Sequence, residues 1–395
     1  MNEPRPTLDL EHLGFDRGAQ VLLARATRAL APGALLEVCG SAPALGVELA
    51  AWARANGHAA RPLTDRRWTL EIGRSAGARR AGAERAGLPE EPASRAPQCW
   101  GLAARGALVE AGGPEFGFRL CEREELWTAD EATLYRQALA AQWDPERAIP
   151  WSAPLEHSDE LEDALVEVLT FLIENETAAL LVPARFAGQT HPHFRETLQL
   201  LAIQAADEAR HIEVFTRRAT LRGRALGLST VGGRASLKSL VDEPDFARAA
   251  LLTSVLGEGT FTNLLGFLHA HAPDRCTAEI MRLAAQDEAR HVAFAMSHLA
   301  HHAQADATLL ARLASAVHQR HAALLATSGL SVEVFDALIA LAGGSYQPRA
   351  IERGHAAVVE LLAQMDAGRR MRLRKLGFDA RQAEQLSELH TRNFM

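Results

Sequence analysis

The chain contains few of the residues that mark several common classes of protein. Its 395 residues include four cysteines and two tyrosines. The cysteines are scattered without a Cys-x-x-Cys pair, which excludes a zinc knuckle and a disulfide framework as the basis of the fold. No uncharged apolar run reaches the roughly 18 residues that a membrane span needs, so the sequence predicts no transmembrane segment.

Charge and the N-terminal sequence exclude further classes. The formal net charge of −7 argues against nucleic-acid binding as the main function. The basic stretch at 369–375 is interpreted as a solvated helix face or a subunit contact. Residues 1–6 lack the charged-then-apolar pattern of a signal peptide, so we expect a cytoplasmic protein. The length predicts two or three domains.

The most informative feature is a repeat of Asp-Glu-Ala-Arg-His, at 207–211 and again at 287–291. Positions three apart share a helix face, so each Glu-x-x-His presents a carboxylate and an imidazole at one place. A single pair arises by chance on many helices, and a duplicated salt-bridged helix is the alternative interpretation. Two copies favour a dinuclear metal site, which helix bundles build from two such helices and one glutamate from each of two partner helices.

Each motif requires a partner carboxylate about 30 residues upstream, where an antiparallel helix returns to the same height. Upstream of Glu288 this position is Glu258, which lies on a mostly apolar helix face (288 − 258 = 30). Upstream of Glu208 there are two candidates. Periodicity favours Glu176, whose face is apolar (208 − 176 = 32), and Glu174 on a more polar face remains the alternative.

Residues 161–302, which carry these motifs, resemble the carboxylate-bridged di-iron proteins of the ferritin-like superfamily. The Asp-Glu-x-Arg-His form is that of the bacterial multicomponent monooxygenase hydroxylases. The resemblance implies a mainly α fold, a ferritin-like four-helix bundle with extra C-terminal helices. The expected bundle helices are 159–186, 194–222, 245–270 and 276–302. The expected further helices are 305–327, 331–343, 346–376 and 380–391.

The resemblance also implies a set of site residues. The implied metal ligands are Glu176 (or Glu174), Glu208, His211, Glu258, Glu288 and His291. Asp207 and Asp287 are expected to accept hydrogen bonds from the far nitrogens of the two histidines, with Arg210 and Arg290 paired to these acids. The simpler alternative is an Asp–Arg ion pair on a helix surface.

The first 75 residues have a different pattern, in which short strands and helices alternate. They predict a small two-layer α/β domain with the order β-α-β-α-β. This segment resembles the TusA-like sulfur-carrier family in Leu8-Asp9, in 32–38 and in 49–58. The family's reactive Cys-Pro is replaced by Phe15-Asp16, so no thiolate is available to carry a persulfide. We therefore expect an interaction or regulatory role.

Composition predicts the remaining boundaries. Residues 76–97 have a linker composition. Residues 98–150 are expected to form a β-hairpin around Gly112-Gly113, within 101–123, and a connecting helix over 129–143. The ferritin-like helical domain is expected to occupy 151–395.

The leading functional hypothesis is a di-iron oxidoreductase that activates O2 to hydroxylate, desaturate or N-oxygenate an organic substrate. Two iron ions are the expected cofactor, with manganese or a mixed Fe/Mn pair possible, because carboxylate and imidazole ligands suit these metals. The expected partners are a small-molecule substrate, an external electron donor and a second copy of the chain, with no nucleic acid and no membrane. Tyr135 and Tyr346 lie outside the motif helices, which argues against a stable tyrosyl radical. The alternatives are a ferritin-like or rubrerythrin-like ferroxidase or peroxidase, and a non-enzymatic metal-containing scaffold.

Overall fold

A computed structural model describes residues 6–74, 82–325 and 332–391. The chain divides into two compact units. The first comprises the residues up to Gly87 together with Gly106–Glu115, and the second comprises Leu88–Arg105 and the chain from Phe116 onward. The predicted linker residues 76–81 lie outside the described ranges.

The first unit is built on a four-stranded sheet. Its elements are β1 (Thr7–Asp9), α1 (Ala19–Arg28), β2 (Leu35–Cys39), α2 (Leu45–Ala55), β3 (Ala59–Thr64) and β4 (Arg67–Glu71). The strand order is β1-β2-β4-β3, with β1 parallel to β2 and the other pairs antiparallel. Alternate residues of β2 and β4 are buried against the two helices, and this burial forms the unit's apolar core.

The sequence prediction missed β3, because this strand lacks apolar alternation and contains Pro62. The strand lies at the edge of the sheet, where a proline is tolerated since it need not donate to a neighbour. Phe15 packs against the core, and its backbone N–H donates to Glu48 Oε2 at 3.3 Å. The resemblance of this first unit to a sulfur carrier stays a prediction.

The expected hairpin around Gly112-Gly113 is wrong for the described part of the chain. Instead β5 (Glu84–Arg85), inside the predicted linker, pairs antiparallel with β6 (Leu108–Val109). The alternating pattern near Gly112 therefore indicated strand content correctly but not its partner, because pairing between distant segments leaves no local signal.

The second unit is helical, and its long elements match the predicted bundle closely. Short helices come first: α3 (Arg123–Leu126), α4 (Glu131–Ala140) and α5 (Pro145–Ala148). The bundle and its following helices are α6 (Asp159–Ala187), α7 (Arg195–Thr220), α8 (Val231–Val241), α9 (Phe246–Ala250), α10 (Gly259–Ala270), α11 (Arg275–Ala305), α12 (Leu309–Leu324), α13 (Val332–Gly343), α14 (Pro348–Leu376) and α15 (Ala380–Thr391). Within the described ranges, every helix is too short or too polar to cross a lipid bilayer.

Local sequence explains where the bundle helices begin. Ser158 caps α6 by accepting from the N–H of Leu161, and Asp274 caps α11 by accepting from Thr277 N–H at 2.8 Å. The unpredicted α8 is capped by Thr230 in the same way. Its first turn contains Gly232-Gly233, and this low helix propensity hides the element from sequence reasoning.

The predicted helix 245–270 contains a distortion that sequence reasoning did not anticipate. Leu251–Glu258 forms a π-helical segment between α9 and α10. Such segments are rare and are frequently found at functional sites. Two side chains bond its carbonyl groups: Arg372 Nε donates to Val255 O at 2.8 Å and Thr260 Oγ1 donates to Leu256 O at 2.6 Å. These bonds satisfy buried backbone groups at the end where Glu258 lies.

The contact from Arg372 corrects the interpretation of the basic stretch at 369–375. Arg369 and Arg372 are buried, so these two side chains do not belong to a solvated helix face. Arg374 and Lys375 are exposed, as expected. The buried pair lies on the inner face of α14, and the tertiary contacts of that helix were not visible in the charge pattern.

A buried ion network joins three bundle helices away from the repeated motifs. Arg218 on α7 donates to Glu162 on α6 with both terminal nitrogens, at 2.8 and 2.9 Å. It also donates to Asp274 at 2.7 Å and to Thr277 at 2.8 Å. All four residues are buried. His157 Nε2 also lies 2.5 Å from Glu162, and the network links α6, α7 and α11 at one end of the bundle.

A buried carboxyl group outside this network should make the folding stability depend on pH. Glu131, at the start of α4, is fully buried and accepts from Thr197 Oγ1 at 2.7 Å. Burial raises the pKa of Glu131 from 4.5 to about 8. Because the folded-state pKa lies above the unfolded one, this stability contribution is complete below pH 4.5 and is lost as the pH rises towards about 8.

We therefore expect Glu131→Gln to reduce the loss of stability between pH 5 and pH 8.5. One pKa unit corresponds to about 1.4 kcal/mol, so the difference between wild type and variant should reach a few kcal/mol. Urea unfolding of both proteins at the two pH values measures it. Equal losses in both proteins would show that Glu131 is ionised in the folded state.

Candidate metal centre

The repeated motifs bring two Glu-His pairs together in the middle of the bundle. Glu208 and His211 lie one turn apart on α7, and Glu288 and His291 lie one turn apart on α11. His211 Nδ1 is 3.1 Å from Glu208 and 3.5 Å from Glu288. His291 Nδ1 is 3.0 Å from Glu208 and 3.5 Å from Glu288. Each histidine therefore faces both glutamates.

The partner helices supply two more carboxylates. Glu176 on α6 lies 3.6 Å from His211 Nδ1, and Glu258, at the end of the π-helical segment, lies 4.0 Å from His291 Nδ1. Glu174, the alternative to Glu176, is partly exposed and belongs to neither group of converging ligand atoms. The structure thus places Glu176 in the cluster, on the apolar face that periodicity had favoured.

The six side chains form two overlapping groups of four. One contains Glu176, Glu208, His211 and Glu288, and the other contains Glu208, Glu258, Glu288 and His291. In each group the potential ligand atoms lie within 4.8 Å of one another. Glu208 and Glu288 belong to both groups. The cluster can therefore hold two metal ions with two shared carboxylates, and all six residues are buried.

Unsatisfied polar atoms show that the cluster fits cations. Among the described residues, no hydrogen-bond donor reaches Glu176 Oε1, Glu258 Oε2 or either carboxylate oxygen of Glu288. Buried carboxylates without partners are costly unless a cation or a proton neutralises them. Carboxylate and imidazole ligands suit iron and manganese. The donor set therefore matches an iron or manganese pair.

The electrostatics of the cluster lead to the same requirement. Burial, together with Glu208 and Glu288, raises the pKa of Glu176 and of Glu258 well above the usual range. Burial alone would raise the pKa of Glu208, but His291 and His211 lower it. Burial opposes the charged imidazoles, yet the surrounding carboxylates raise the pKa of His211 and His291. Without metal, Glu176 and Glu258 therefore favour their protonated forms, so cations that bind to these two acids must displace protons.

The acids before the two glutamates act crosswise between the helices. His211 Nε2 lies 3.1 Å from Asp287 Oδ2, and His291 Nε2 lies 3.2 Å from Asp207 Oδ2. Each histidine thus bonds to the aspartate of the other motif. Donation of the Nε2 proton to the carboxylate leaves Nδ1 of each histidine free to bind metal. The structure brings Asp207 and Asp287 to the far nitrogens of the histidines, as the resemblance implied.

Two arginines pair with these aspartates. Arg210 Nη2 donates to Asp207 at 2.5 Å and to Asp287 at 2.8 Å, and Arg290 pairs with Asp287 and lies 3.5 Å from Asp207. Burial opposes ionisation, but bonds from His291 and Gln142 hold the pKa of Asp207 below its usual value. For Asp287, His211, Arg210 and Arg290 have the same effect on the pKa. The arginines therefore join both motifs into one buried network and do not form separate surface ion pairs.

Two residues of this network were missed by sequence reasoning. Gln142 Nε2 donates to Asp207 at 2.7 Å, and Trp143 Nε1 donates to Asp287 at 2.8 Å. The guanidinium of Arg210 lies over the Trp143 ring at 4.5 Å. Helix α4 ends at Ala140, earlier than predicted, and this early end releases both side chains towards the aspartates. A tryptophan with an apolar ring and one N–H donor was the available signal.

Gln204 is a third residue that the motif search missed. It lies one turn before Glu208 on α7, is buried, and donates from Nε2 to Glu258 Oε1 at 3.0 Å. The same nitrogen lies 3.4 Å from Ser254 Oγ. The bond from Gln204 holds Oε1 of Glu258, and the other oxygen, Oε2, lies 4.0 Å from His291 Nδ1.

Replacement of either aspartate by asparagine should weaken metal binding. Asp287→Asn and Asp207→Asn retain the shape but lose the anionic acceptor, for which losses of roughly 10–100-fold in affinity or activity are typical. Anaerobic Fe(II) titration measures the change. Asp163→Asn is the matched control, because Asp163 is exposed and pairs with Arg224 on the surface of α6. Unchanged affinity for Fe(II) in both test variants would show that the two aspartates do not support metal binding.

Solved structures show the fold class. An R2-like ligand-binding oxidase variant, aerobically reconstituted with an Fe/Fe cofactor, matches with a TM-score of 0.50 and 17% identity, over 63% of this chain and 94% of that chain. The same oxidase type with a Mn/Fe cofactor gives a TM-score of 0.49, 16% identity and the same coverage. A protein with aldehyde deformylating oxidase activity from Synechococcus gives 0.42 and 21% identity, over 58% of this chain and 96% of that chain.

The first of these matches shows that the helical unit has a ferritin-like fold. The other two have TM-scores below 0.5 and support no further conclusion. In sequence, no protein-family description matches the chain, and no curated protein matches it.

Proposed function

We propose that this protein is an O2-dependent oxidoreductase whose buried centre holds two iron ions, or an iron and a manganese ion. One observation carries the proposal: Glu208 and Glu288 each belong to both groups of converging ligand atoms. Two carboxylates shared in this way suit a pair of ions in a single site. The R2-like oxidase that shares the fold carries an Fe/Fe cofactor, as its description states.

The roles of the protein side chains follow from the geometry. Glu176 and His211 would hold one ion, Glu258 and His291 the other, and Glu208 and Glu288 would contact both. When bound, the metal pair would supply the two electrons that reduce O2. Asp287 and Asp207 hold the Nε2 protons of His211 and His291, which fixes the ring orientation. The buried position of all six ligands excludes bulk water from the reacting centre.

The finer reaction extends this proposal. The substrate would be a small organic molecule that is hydroxylated, desaturated or N-oxygenated, with electrons from an external donor. In the metal-free cluster, burial and the neighbouring carboxylates raise the pKa of Glu176 and of Glu258, so either acid can hold a proton when it does not bind metal. The hydrogen bond from Gln204 to Glu258 limits how far that carboxylate can move.

Metal analysis of anaerobically purified protein tests the central claim. We expect about two iron or manganese ions per chain. Addition of O2 should then change the optical spectrum of the centre. One zinc ion per chain with no response to O2 would contradict a redox-active pair.

Turnover separates oxygenase chemistry from the two alternatives. A ferroxidase or peroxidase would consume Fe(II) or peroxide without an organic substrate, and a scaffold would bind metal without turnover. Incubation with O2, a chemical reductant and a panel of organic compounds should give oxidised product if the proposal is right. Rapid Fe(II) oxidation with release of ferric iron, and no organic product with any compound, would favour the ferroxidase.

A further inference from the structure

A cleft of about 150 Å³ lies beside the metal cluster, between α4, α7 and α11. Its walls are mainly apolar, formed by Leu134 and Ala138 on α4, Leu200 and Ile203 on α7, and Phe294 on α11. The exposed residues Gln137, Ala289 and Ala293 also line it, so the cleft opens to the surface. The motif search did not predict this feature.

The inner end of the cleft touches the metal-binding network. His291, Asp207 and Gln204 line it, and Gln204 donates to Glu258. The cleft is therefore adjacent to the half of the centre that contains Glu258 and His291. No group of the Glu176 and His211 half lines it, as far as the described residues show.

A second, much smaller cavity of about 20 Å³ continues on the other side of Gln204 and Phe294. These two residues line both spaces. The inner cavity is bounded by α6, α9 and the π-helical segment, and includes Thr253 and Ser254. A volume of this size accommodates about one water molecule, so in this arrangement it does not hold an organic ligand.

We propose that the cleft binds a small uncharged apolar molecule, or the apolar end of a longer one, next to the Glu258 and His291 half of the centre. Gln204 and Phe294 form the barrier that limits how deeply the ligand enters. The identification of the cleft as the substrate site rests on the proposed oxidase function. A cavity of about 150 Å³ in another protein binds benzene, which sets the size of the ligand.

The charges around the cleft argue for an uncharged ligand. Arg290 lines it, but its guanidinium is paired with Asp287 and Asp207. An added carboxylate would compete with these two buried acids, and an added cation would compete with Arg210 and Arg290. A charged ligand would also lose its hydration against apolar walls. The burial of apolar surface is therefore the main source of affinity.

A contrasting cleft elsewhere in the helical unit provides a control. It lies between α10 and α14, has a volume of about 390 Å³, and is lined by polar side chains that include Asn263, Glu360 and Gln364. None of the six cluster residues lines it. It is larger than the cleft beside the centre, so size alone would favour binding here, whereas the apolar character of the walls favours the other.

Binding of fluorobenzene to the metal-loaded full-length protein, followed by fluorine NMR, tests the proposal without turnover. We expect saturable binding to wild type. Ala138→Phe fills the cleft and should weaken binding roughly tenfold or more, because the added ring occupies the volume that the ligand would take. Ala357→Phe, the same substitution in the polar cleft, should leave binding unchanged. Equal binding in wild type and Ala138→Phe, or no binding to wild type, would overturn the proposal.

A longer probe tests the barrier. Fluorobiphenyl should enter the wild-type cleft with one ring only, and Phe294→Leu should strengthen its binding relative to fluorobenzene by joining the two cavities. Unchanged metal content and circular dichroism verify that the variant is folded. The same ratio of the two affinities in both proteins would show that Phe294 is not a barrier.

The binding and reactivity results can fail independently. A wild-type protein that reacts with O2 but does not bind fluorobenzene would overturn the assignment of the cleft and leave the oxidase proposal intact. A protein that binds the probe in the cleft but holds no redox-active metal would overturn the oxidase proposal, and the cleft would remain a ligand site of another kind.

Discussion

Replacement of Glu208 or Glu288 by alanine is expected to abolish binding of both metal ions. Each glutamate belongs to both ligand groups, so one substitution removes a ligand from each ion at once. The remaining buried acids would also lose the positive charge that neutralises them. Metal analysis after anaerobic reconstitution with excess Fe(II) should show less than one bound ion per chain, against about two for wild type.

Substitutions of the two glutamates on α6 serve as controls. Glu174→Gln, on the same helix as Glu176 but outside the cluster, should retain full metal content. Glu176→Gln should weaken the binding of the ion held by Glu176 and His211 more than the binding of the other ion. Wild-type metal content in both alanine variants would show that the cluster is not a metal site. Metal loss in Glu174→Gln with none in Glu176→Gln would show that Glu174 is the ligand on α6.

Arg218→Met is expected to have the largest effect on folding stability outside the metal centre. The substitution removes the guanidinium that bonds to both Glu162 and Asp274. Among the described residues, these two buried acids then keep His157 and Thr277 as partners. Removal of one partner from a buried ion network typically costs about 3–5 kcal/mol. Urea unfolding of the metal-free protein measures the loss, and the absence of metal keeps ligand binding from contributing.

Arg222→Met is the matched control for this network. Arg222 is four residues further along the chain and pairs with the exposed Asp159 at 2.7 Å. Exposed pairs contribute about 0–1 kcal/mol, so the control should be nearly neutral. Losses of similar size in the two variants would mean that the Arg218 network stabilises no more than a surface pair does.

Helical periodicity predicted the ferritin-like bundle well because its signals are local. Apolar faces and capping residues such as Ser158 and Asp274 mark helix extents within a few residues. The same method missed α8, whose first turn is rich in glycine, and β3, which has no apolar alternation. It also assigned β6 to a hairpin, because the sequence does not show which distant strand completes a pair.

For the candidate centre, the spacing of residues in the sequence carried most of the information. The spacing within each Glu-x-x-His motif, and the 30-residue and 32-residue intervals to Glu258 and Glu176, were sufficient to name all six cluster residues. These intervals carry information because an antiparallel helix pair converts sequence distance directly into height. Their binding of metal stays a prediction until the ions are measured.

Helix periodicity and motif spacing are properties of the chain, so they were enough to predict the helical class, the bundle and the residues that meet at its centre. The folded structure was needed to find the crosswise bonds of Asp207 and Asp287, the contributions of Gln142, Trp143 and Gln204, and the π-helical segment before Glu258. These features depend on contacts between segments that lie far apart in the chain. Such contacts are selected by packing and by the need to satisfy every buried polar group, and neither requirement leaves a local pattern.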